Sequence, residues 1–341
     1  MAVSIMKRIM KTVSVNIQNL CAPCNCACRH CLLSAQHKAT GVTYQRGETF
    51  ARKFYEWLRV YRPDLHGMYY VGYCMDFPEV TQFASYFRAQ TGLKHFMFDG
   101  LAIRDEKDIY SLLISLKNAG IERIHFTFYG IQKYHDRFAG RKGNFSYMLQ
   151  TAGIAQKMGL SVSAGIMVTM ENLDQLDALL STLQKENISD ITPILPHAKG
   201  RGYGLSHLRL TEDGYHRLPQ YFQDKLPRNR YRTEGEWLAE GSFPQHTVRH
   251  LTLSLTPENM ERLERMDPSV IISDLEAMDD RFYSQLPDTN SLAGQYGEPG
   301  NKQLFRFQDL YLQWQKRYLA EHPIFPDMTD ERFSFSARMF E

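Results

Sequence analysis

The sequence predicts an α/β protein with parallel strands, followed by a mixed and mainly helical C-terminal region. Through the first two-thirds of the 341 residues, short apolar runs typical of strands alternate with stretches that have the apolar spacing of helices. Strands joined by helical crossovers run parallel with right-handed connections. Six such units build either a doubly wound open sheet or an incomplete barrel, and periodicity does not choose between the two. In both, the loops after the strands form the functional site.

The predicted strands and helices follow one another in strict alternation. The strand candidates are residues 13–17, 68–71, 94–98, 123–129, 160–169 and 190–195. The helix candidates between them are residues 50–61, 80–87, 105–118, 148–158 and 173–183. Pro63, Gly120 and Gly159 follow three of these helices, as expected of residues that end a helix.

The alternation stops after about residue 205. A strand candidate at residues 250–255 precedes a helix start at Thr256-Pro257-Glu258, with a capping hydroxyl, a proline in the first turn and an acid near the positive helix end. Two more helices are predicted at residues 271–286 and 304–320. We therefore expect two parts, residues 1–205 and an accessory or substrate region at 206–341.

Composition and charge exclude several classes of protein. Forty basic and 38 acidic residues give a net charge of +2, whereas a sequence-independent nucleic-acid binder usually has a basic excess. Residues 1–20 are polar and basic and lack the apolar run of a secretory signal. No segment approaches the roughly 20 apolar residues that span a bilayer. We expect a cytoplasmic protein with reduced cysteines and neither a nucleic-acid nor a membrane partner.

The cysteines are the most informative residues. Five of the six lie within eleven residues, at Cys21, Cys24, Cys26, Cys28 and Cys31. A disulfide framework spreads its cysteines along the chain, and a zinc ribbon needs two separated pairs, so neither fits. The spacing C-x3-C-x2-C at positions 24, 28 and 31 follows the first strand directly. Three such thiolates can bind three irons of a [4Fe–4S] cluster and leave the fourth iron open for a substrate.

This loop resembles the signature of the radical S-adenosylmethionine (radical SAM) superfamily. The resemblance implies a partial (β/α)6 TIM-like barrel, a [4Fe–4S] cluster on Cys24, Cys28 and Cys31, and S-adenosylmethionine (SAM) as cofactor. In this family SAM is cleaved reductively to a 5′-deoxyadenosyl radical, which abstracts hydrogen from the substrate. The electron donor would be a protein such as flavodoxin or ferredoxin. The implied substrate is a peptide, a natural product or a cofactor precursor.

Other loops agree with the same family, in particular with its peptide- and cofactor-maturing branch. The stretch from His135 to Phe145 resembles the branch's "HD…G…GsF" pattern. The turn after the second strand has a glycine, an acid and a proline in the family order, although it lacks the usual double glycine. The residues that the resemblance implies around SAM are His30, Gly72, Asp76, Thr127, Thr169, Asn172 and Arg201. Of these, His30 would lie near the adenine, and Thr169 and Asn172 would approach the ribose.

The resemblance covers about residues 13–205. Residues 206–341 contain no cysteine, so this region lacks the auxiliary-cluster cysteines of many branch members; its strand at 250–255 and the following helices would instead close the open side of the barrel.

Four alternatives remain open. Arg201 either pairs with the SAM carboxylate or the substrate, or is a loop-packing arginine. Cys74 is either a catalytic hydrogen-atom donor, as in radical epimerases, or a small residue packed beneath the cofactor. Asp76 is either a SAM ligand or part of an ordinary strand-to-helix turn. A non-catalytic reading is a zinc- or Fe–S-binding module whose C-terminal third engages a partner. Cys21 and Cys26 are expected to be buried loop residues.

Overall fold

The strands of the fold are mostly parallel and alternate with helices, as the sequence predicts. The computed structural model describes residues 10–243 and 248–322. Its strands are β1 (Lys11–Asn19), β2 (Tyr69–Val71), β3 (His95–Met97), β4 (Arg123–Phe128), β5 (Ser161–Met167), β6 (Asp190–Ile194), β7 (Arg232–Thr233), β8 (Val248–Ser254) and β9 (Leu304–Phe305). All six predicted strands of the first two-thirds are present, and the α/β class is confirmed.

The parallel strands form two hydrogen-bonded sheets in the described part of the chain. One has the order β2-β1-β8 and the other the order β3-β4-β5-β6. Every pairing in both is parallel. The carboxyl ends of these strands therefore point to a common edge, where the loops carrying the predicted site residues begin.

Helices connect the strands in the expected order. In the first two-thirds they are α1 (Tyr44–Tyr61), α2 (Val80–Thr91), α3 (Glu106–Asn118), α4 (Gln132–Ala139), α5 (Asn144–Lys157) and α6 (Leu176–Lys185). Helix α1 begins six residues before the predicted start, because Tyr44, Gly47 and Ala51 continue its buried face at helical spacing. Helix α4 is an additional element. The sequence indicated only a basic loop and the start of the next helix there.

The aromatic residues in and directly after β3, and those of β4, belong to the core. Phe96, Phe98, Phe126 and Phe128 are buried in one cluster with the apolar faces of the surrounding helices. Because side chains alternate along a strand, the neighbouring positions face the other side of the sheet. That side is polar and lines an open cavity of about 600 Å³ near the amino-terminal ends of the strands.

The C-terminal region is mainly helical. Its helices are α7 (Glu212–His216), α8 (Gln220–Lys225), α9 (Glu234–Leu238), α10 (Pro257–Arg265), α11 (Pro268–Tyr283), α12 (Thr289–Tyr296) and α13 (Phe307–Glu321). The predicted strand is present as β8, which pairs with β1 along seven registered positions. The C-terminal region thus adds a strand to the first sheet, while the division at residue 205 stays a prediction. The last 19 residues lie outside the described ranges.

Within residues 10–243 and 248–322, none of the helices combines the length and the apolar character needed to cross a membrane.

Candidate functional site

Five of the six cysteines converge at the carboxyl edge of the strands. Cys24, Cys26 and Cys74 are buried in one small cluster, and Cys28 and Cys31 pack against it. All five thiols are free. The sixth, Cys21, packs instead against the apolar core between β1, β2 and α1. The structure therefore brings the three predicted iron ligands together with two further thiols.

Glycine makes this close approach feasible. Gly100, just after β3, has a φ of +80°, and a Cβ at this position would lie 2.6 Å from Cys24 Sγ and 2.9 Å from Cys74 Cβ. Gly72, just after β2, has a φ of +69°, and its Cβ would lie 2.9 Å from that of Ala22. Both positions combine a left-handed backbone with tight contact, which glycine tolerates best. Close packing and a left-handed backbone therefore explain why a glycine stands at position 72, in the turn predicted to contact SAM.

The C-terminal end of α4 supports the middle of the cysteine loop. Ala27 donates its backbone N–H to Ala139 at 2.9 Å, and Arg29 donates to Phe138 at 3.0 Å. The motif His135–Phe145 builds this support, because the Asp136 carboxylate accepts from the N–H groups of Gly143 (2.6 Å) and Phe145 (2.9 Å). Asp136 thereby caps the start of α5 and fixes the turn that follows α4.

Arg201 holds the far side of the loop. Its Nε donates to the carbonyl of Cys28 and its Nη1 to that of Ala35, both at 2.9 Å. Its backbone N–H donates to the carbonyl of Cys31 at 3.0 Å. The remaining Nη2 is buried and has no hydrogen-bond partner among the described residues. The structure thus places Arg201 on the loop backbone, and contact with the SAM carboxylate stays a prediction.

The thiols differ in their ease of ionisation. Hydrogen bonds from Cys26 and Cys74 lower the pKa of Cys24 to about 3. A hydrogen bond from Cys26 also lowers the pKa of Cys28, aided by the Tyr129 hydroxyl at 3.5 Å. Burial raises the pKa of Cys31, and it raises that of Cys21 to about 11.

Cys26 and Cys74, whose thiols donate to Cys24, have raised pKa values. Hydrogen bonding to Cys24 is the largest cause that raises the pKa of both Cys26 and Cys74. Iron binds thiolates, so two of the predicted ligands are favoured in the required form before metal arrives.

His30 lies in a nest of aromatic rings beside the cysteines. Its ring centroid is 5.0 Å from that of Tyr129 and 6.0 Å from that of Phe138. Its Nδ1 is buried with no hydrogen-bond partner among the described residues. Burial lowers the pKa of His30 to about 4, so the ring is neutral at pH 7. A neutral ring with an unsatisfied nitrogen suits stacking on a heteroaromatic group.

Asp76 is engaged within the protein. One carboxylate oxygen pairs with Arg104. The other accepts from the N–H of Ala102 at 2.6 Å and from the side chain of Asn25 at 3.2 Å. These contacts join the turns after β2 and β3 to the cysteine loop. An acid with a purely structural role would make the same contacts. The SAM contact of Asp76 therefore stays a prediction.

Thr127 bonds to Asp99, in the turn after β3, which was not among the predicted SAM-binding residues. Its Oγ1 donates to Asp99 at 2.7 Å, and its backbone N–H donates to the other carboxylate oxygen at 2.8 Å. Burial raises the pKa of Asp99 to about 6. A lone acid after a short strand has no spacing signal. Its link to Thr127 is visible only in the structure, where the turn after β3 lies beside β4.

Thr169 and Asn172 are buried, and their polar groups bond one another and the strand ends. Asn172 Oδ1 accepts from the N–H (2.9 Å) and hydroxyl (3.2 Å) of Thr169. Asn172 Nδ2 donates to the carbonyls of Tyr129 (2.6 Å) and Met167 (2.7 Å). The side chain thus ties the end of β5 to the end of β4. Four hydrogen bonds fill its capacity, so the structure gives it a positioning role, and ribose contact stays a prediction.

The residues present fit a cysteine-ligated cluster by donor chemistry. The thiols gather at one loop, and two unsatisfied buried nitrogens, on Arg201 and His30, lie beside them. In the described ranges, no three side chains of His, Cys, Asp or Glu are placed to hold a single metal ion. Cys74 lies at the cluster, where its Sγ donates to the carbonyl of Pro23 at 3.1 Å.

Comparison with known proteins gives similarity at the level of structure. No family model and no curated protein sequence matches the chain. Among solved structures it is similar to SuiB from Streptococcus suis bound to S-adenosylmethionine, with 10% identity over 55% of this chain and 42% of SuiB, at a TM-score of 0.41.

A second similar structure is anSMEcpe with bound AdoMet and Cp18Cys peptide, with 13% identity over 70% of this chain and 63% of the other, at a TM-score of 0.41. A third is the coproporphyrinogen III oxidase HemN from Escherichia coli, with 11% identity over 67% and 55% of the two chains, at a TM-score of 0.34. The chain thus spans less than two thirds of each of these proteins. HemN is described as a radical SAM enzyme, and the other two are bound to the cofactor that the cysteine loop implies.

Proposed function

We propose that this chain is a radical SAM enzyme with one [4Fe–4S] cluster on Cys24, Cys28 and Cys31. The observation that carries the proposal is the convergence of these three thiols, in the C-x3-C-x2-C spacing, at the carboxyl edge of parallel strands. Such a cluster, when bound, supplies the electron that cleaves SAM to a 5′-deoxyadenosyl radical. The substrate classes we infer are a peptide, a natural product or a cofactor precursor, and the electron donor a flavodoxin- or ferredoxin-like protein.

The chain's own residues would bind, orient and shield the reacting groups. Arg201 and α4 hold the cysteine loop from two sides, which limits movement of the ligands. The aromatic nest around His30 offers a stacking surface for adenine, and its burial keeps water away. The polar cavity bordered by His125 and Ser163, which are joined at 2.9 Å, lies near the amino-terminal ends of the strands, at the opposite end from the cysteine loop.

Metal uptake tests the proposal directly. Full-length protein reconstituted anaerobically with iron and sulfide should turn brown and contain about four irons per chain. Replacing Cys24, Cys28 and Cys31 by alanine should abolish this uptake. Cys21→Ala is the matched control, since Cys21 lies in the same loop but packs in the core. Stoichiometric zinc with no bound iron would instead support the non-catalytic binding module.

Cys74 supports a second, more specific candidate, a radical epimerase. Its buried thiol lies against Cys24 and would be close to a radical formed at the cluster. A thiol there could donate a hydrogen atom to the product radical. Cys74→Ala should then retain iron and cleave SAM but fail to complete turnover. A variant that cleaves SAM and turns over substrate normally would identify Cys74 as a packing residue.

A further inference from the structure

The sulfurs of the three predicted iron ligands each accept a hydrogen bond from an N–H or O–H group. Cys24 Sγ and Cys31 Sγ accept from backbone N–H groups of their own loop, at 3.4 and 3.2 Å. Cys28 Sγ accepts from the Tyr129 hydroxyl at 3.5 Å. The first two donors belong to the backbone and do not depend on a particular side chain. The third is a side-chain group, so the residue at position 129 decides whether this bond exists.

The contacts that hold Tyr129 in place do not use its hydroxyl. The side chain is buried, with 3% of its surface exposed. Its ring stacks on those of Phe138 and His135, with centroids 4.6 and 5.0 Å apart. Its backbone N–H donates to His135 Nδ1 at 3.3 Å, and its carbonyl accepts from Asn172 at 2.6 Å. The ring and the backbone are therefore fixed independently, and they present the hydroxyl to Cys28.

A hydrogen-bond donor at a sulfur that binds iron favours the reduced form of the cluster. Reduction adds one negative charge, and a donor binds a more negative sulfur more strongly. Hydrogen bonds to the sulfurs are accordingly among the factors that set the potential of Fe–S clusters. Buried surroundings strengthen the effect, because charges are screened less there than in water. The Cys26 thiol also bonds to Cys28, but a thiol is a weaker donor than a phenol.

We propose that the Tyr129 hydroxyl raises the reduction potential of the cluster through its hydrogen bond to Cys28 Sγ. The inference rests on the proposed function and deepens it, because the cluster of such an enzyme has to be reduced by its electron donor before SAM is cleaved. Tyr129 acts here through a ligand and binds no iron itself. Its role is therefore to be measured on the cluster and not only on the reaction.

Tyr129→Phe removes the hydroxyl and keeps the ring with its stacking contacts. Tyr215→Phe is the matched control. Tyr215 is also buried, it belongs to a different core cluster from the cysteines, and its hydroxyl donates to the carbonyl of Gln223 at 3.2 Å. Both variants lose one hydroxyl and one hydrogen bond, so a general effect of this loss on the fold should appear in both.

The test is an anaerobic redox titration of the reconstituted full-length chain without SAM, with the EPR signal of the reduced cluster as readout and iron counted in each sample. With iron content equal to wild type, Tyr129→Phe should lower the ratio of reduced to oxidised cluster at a given potential at least about threefold. A tenfold change corresponds to about 59 mV for a one-electron couple. Tyr215→Phe should titrate as wild type does.

A second readout separates the hydrogen bond from a displacement of the cysteine loop. Pulsed EPR of the reduced cluster, after reconstitution in H2O or in D2O, detects the exchangeable protons that couple to it. Tyr129→Phe should lose one such proton, and Tyr215→Phe should lose none. A displaced loop would change the potential and leave the number of coupled protons as in wild type.

Four results would count against the inference. A change in the ratio smaller than about threefold, or one of equal size in Tyr215→Phe, would overturn it. A lower potential with every exchangeable proton retained would assign the effect to loop displacement. Loss of iron from Tyr129→Phe would make the hydroxyl a contact needed for cluster assembly and not for tuning. Wild-type protein that takes up no iron would instead refute the proposed function, on which the inference depends.

Discussion

The guanidinium of Arg201 donates from Nε to the backbone carbonyl of Cys28 at 2.9 Å, across 173 positions of sequence. Its Nη1 and backbone N–H bind two more carbonyls of the same loop. One side chain beyond β6 therefore shapes the loop that begins after β1. The predicted cluster site depends on the relative position of the first and last strands of the predicted six-stranded unit.

Arg201→Lys should loosen the cysteine loop, because an ammonium group cannot reproduce the forked contacts of a guanidinium. Loss of one charge-assisted hydrogen bond, worth about 1.5–3 kcal/mol, should speed iron loss about tenfold or more. The measurement is the rate of iron transfer from reconstituted protein to a coloured chelator. Arg46→Lys is the control, since Arg46 pairs with Glu264 on an exposed surface. Equal rates in both variants would contradict a clamping role.

Gly100→Ala should displace Cys24, because the added Cβ would lie 2.6 Å from its sulfur. Gly92→Ala is a close control: Gly92 has a φ of +70°, yet nothing lies within 4 Å of the added Cβ. Both variants should lose about 1–2 kcal/mol of stability through backbone strain. Only Gly100→Ala should also lose iron on reconstitution, as measured by iron content. Normal iron content in Gly100→Ala would contradict this prediction, because it would show that the turn after β3 can shift without displacing Cys24.

Asn172→Ala should destabilise the fold by about 2–5 kcal/mol, because four buried hydrogen bonds disappear and two strand-end carbonyls lose their donor. Urea unfolding of the metal-free protein measures this loss. Asn118→Ala, at the exposed C-terminal end of α3, provides the control and should change stability little. An Asn172→Ala protein of normal stability but weakened SAM binding would favour the ribose contact that the sequence resemblance implies.

Acid should destabilise the protein partly through His135. Burial lowers its folded-state pKa to about 4, against an ordinary value of 6.5. The unfolded state therefore binds more protons between these pH values, and stability falls as the pH falls from about 6.5 to about 4. The largest slope from one such group is about 1.4 kcal/mol per pH unit.

The measurement is the free energy of unfolding in urea for the metal-free protein at several pH values. His135→Asn should be less stable at pH 7 but lose stability less steeply below it, because the titrating group is gone. His66→Asn is the control, since His66 is exposed and should leave the slope unchanged. Parallel pH profiles for wild type and His135→Asn would contradict the assignment of this acid sensitivity to His135.

Sequence periodicity predicted the strands well because each is a short apolar run bounded by loops. It was less informative for α4, whose eight residues are too few to establish a helical period. Its ends became clear only in the structure, where Asp136 caps the following helix and Gly140 ends α4 with a φ of +65°. The resemblance of this stretch to a known family had marked it, without saying what it supports.

The cysteine ligands were accessible to sequence reasoning because their spacing lies within one loop. Contacts between segments that are distant in the sequence could not be predicted in this way. Arg201 was expected either to contact SAM or substrate or to pack in the loop, and the structure places it on the cysteine loop. The bonds between Asp99 and Thr127 became visible only in the structure. Likewise, the sequence predicted that the strand at residues 250–255 closes the open side of the barrel, but it did not predict the register in which β8 pairs with β1. Such contacts depend on the three-dimensional packing of segments, which periodicity does not encode.

The most direct test of the account is whether the protein makes 5′-deoxyadenosine from SAM. Reconstituted full-length protein, reduced with dithionite under anaerobic conditions and given SAM, should release this product as detected by mass spectrometry. Cys24→Ala, Cys28→Ala and Cys31→Ala should each release none, whereas Cys21→Ala should behave as wild type. Wild-type protein that carries its full iron and reduces fully, yet forms no 5′-deoxyadenosine, would contradict the account.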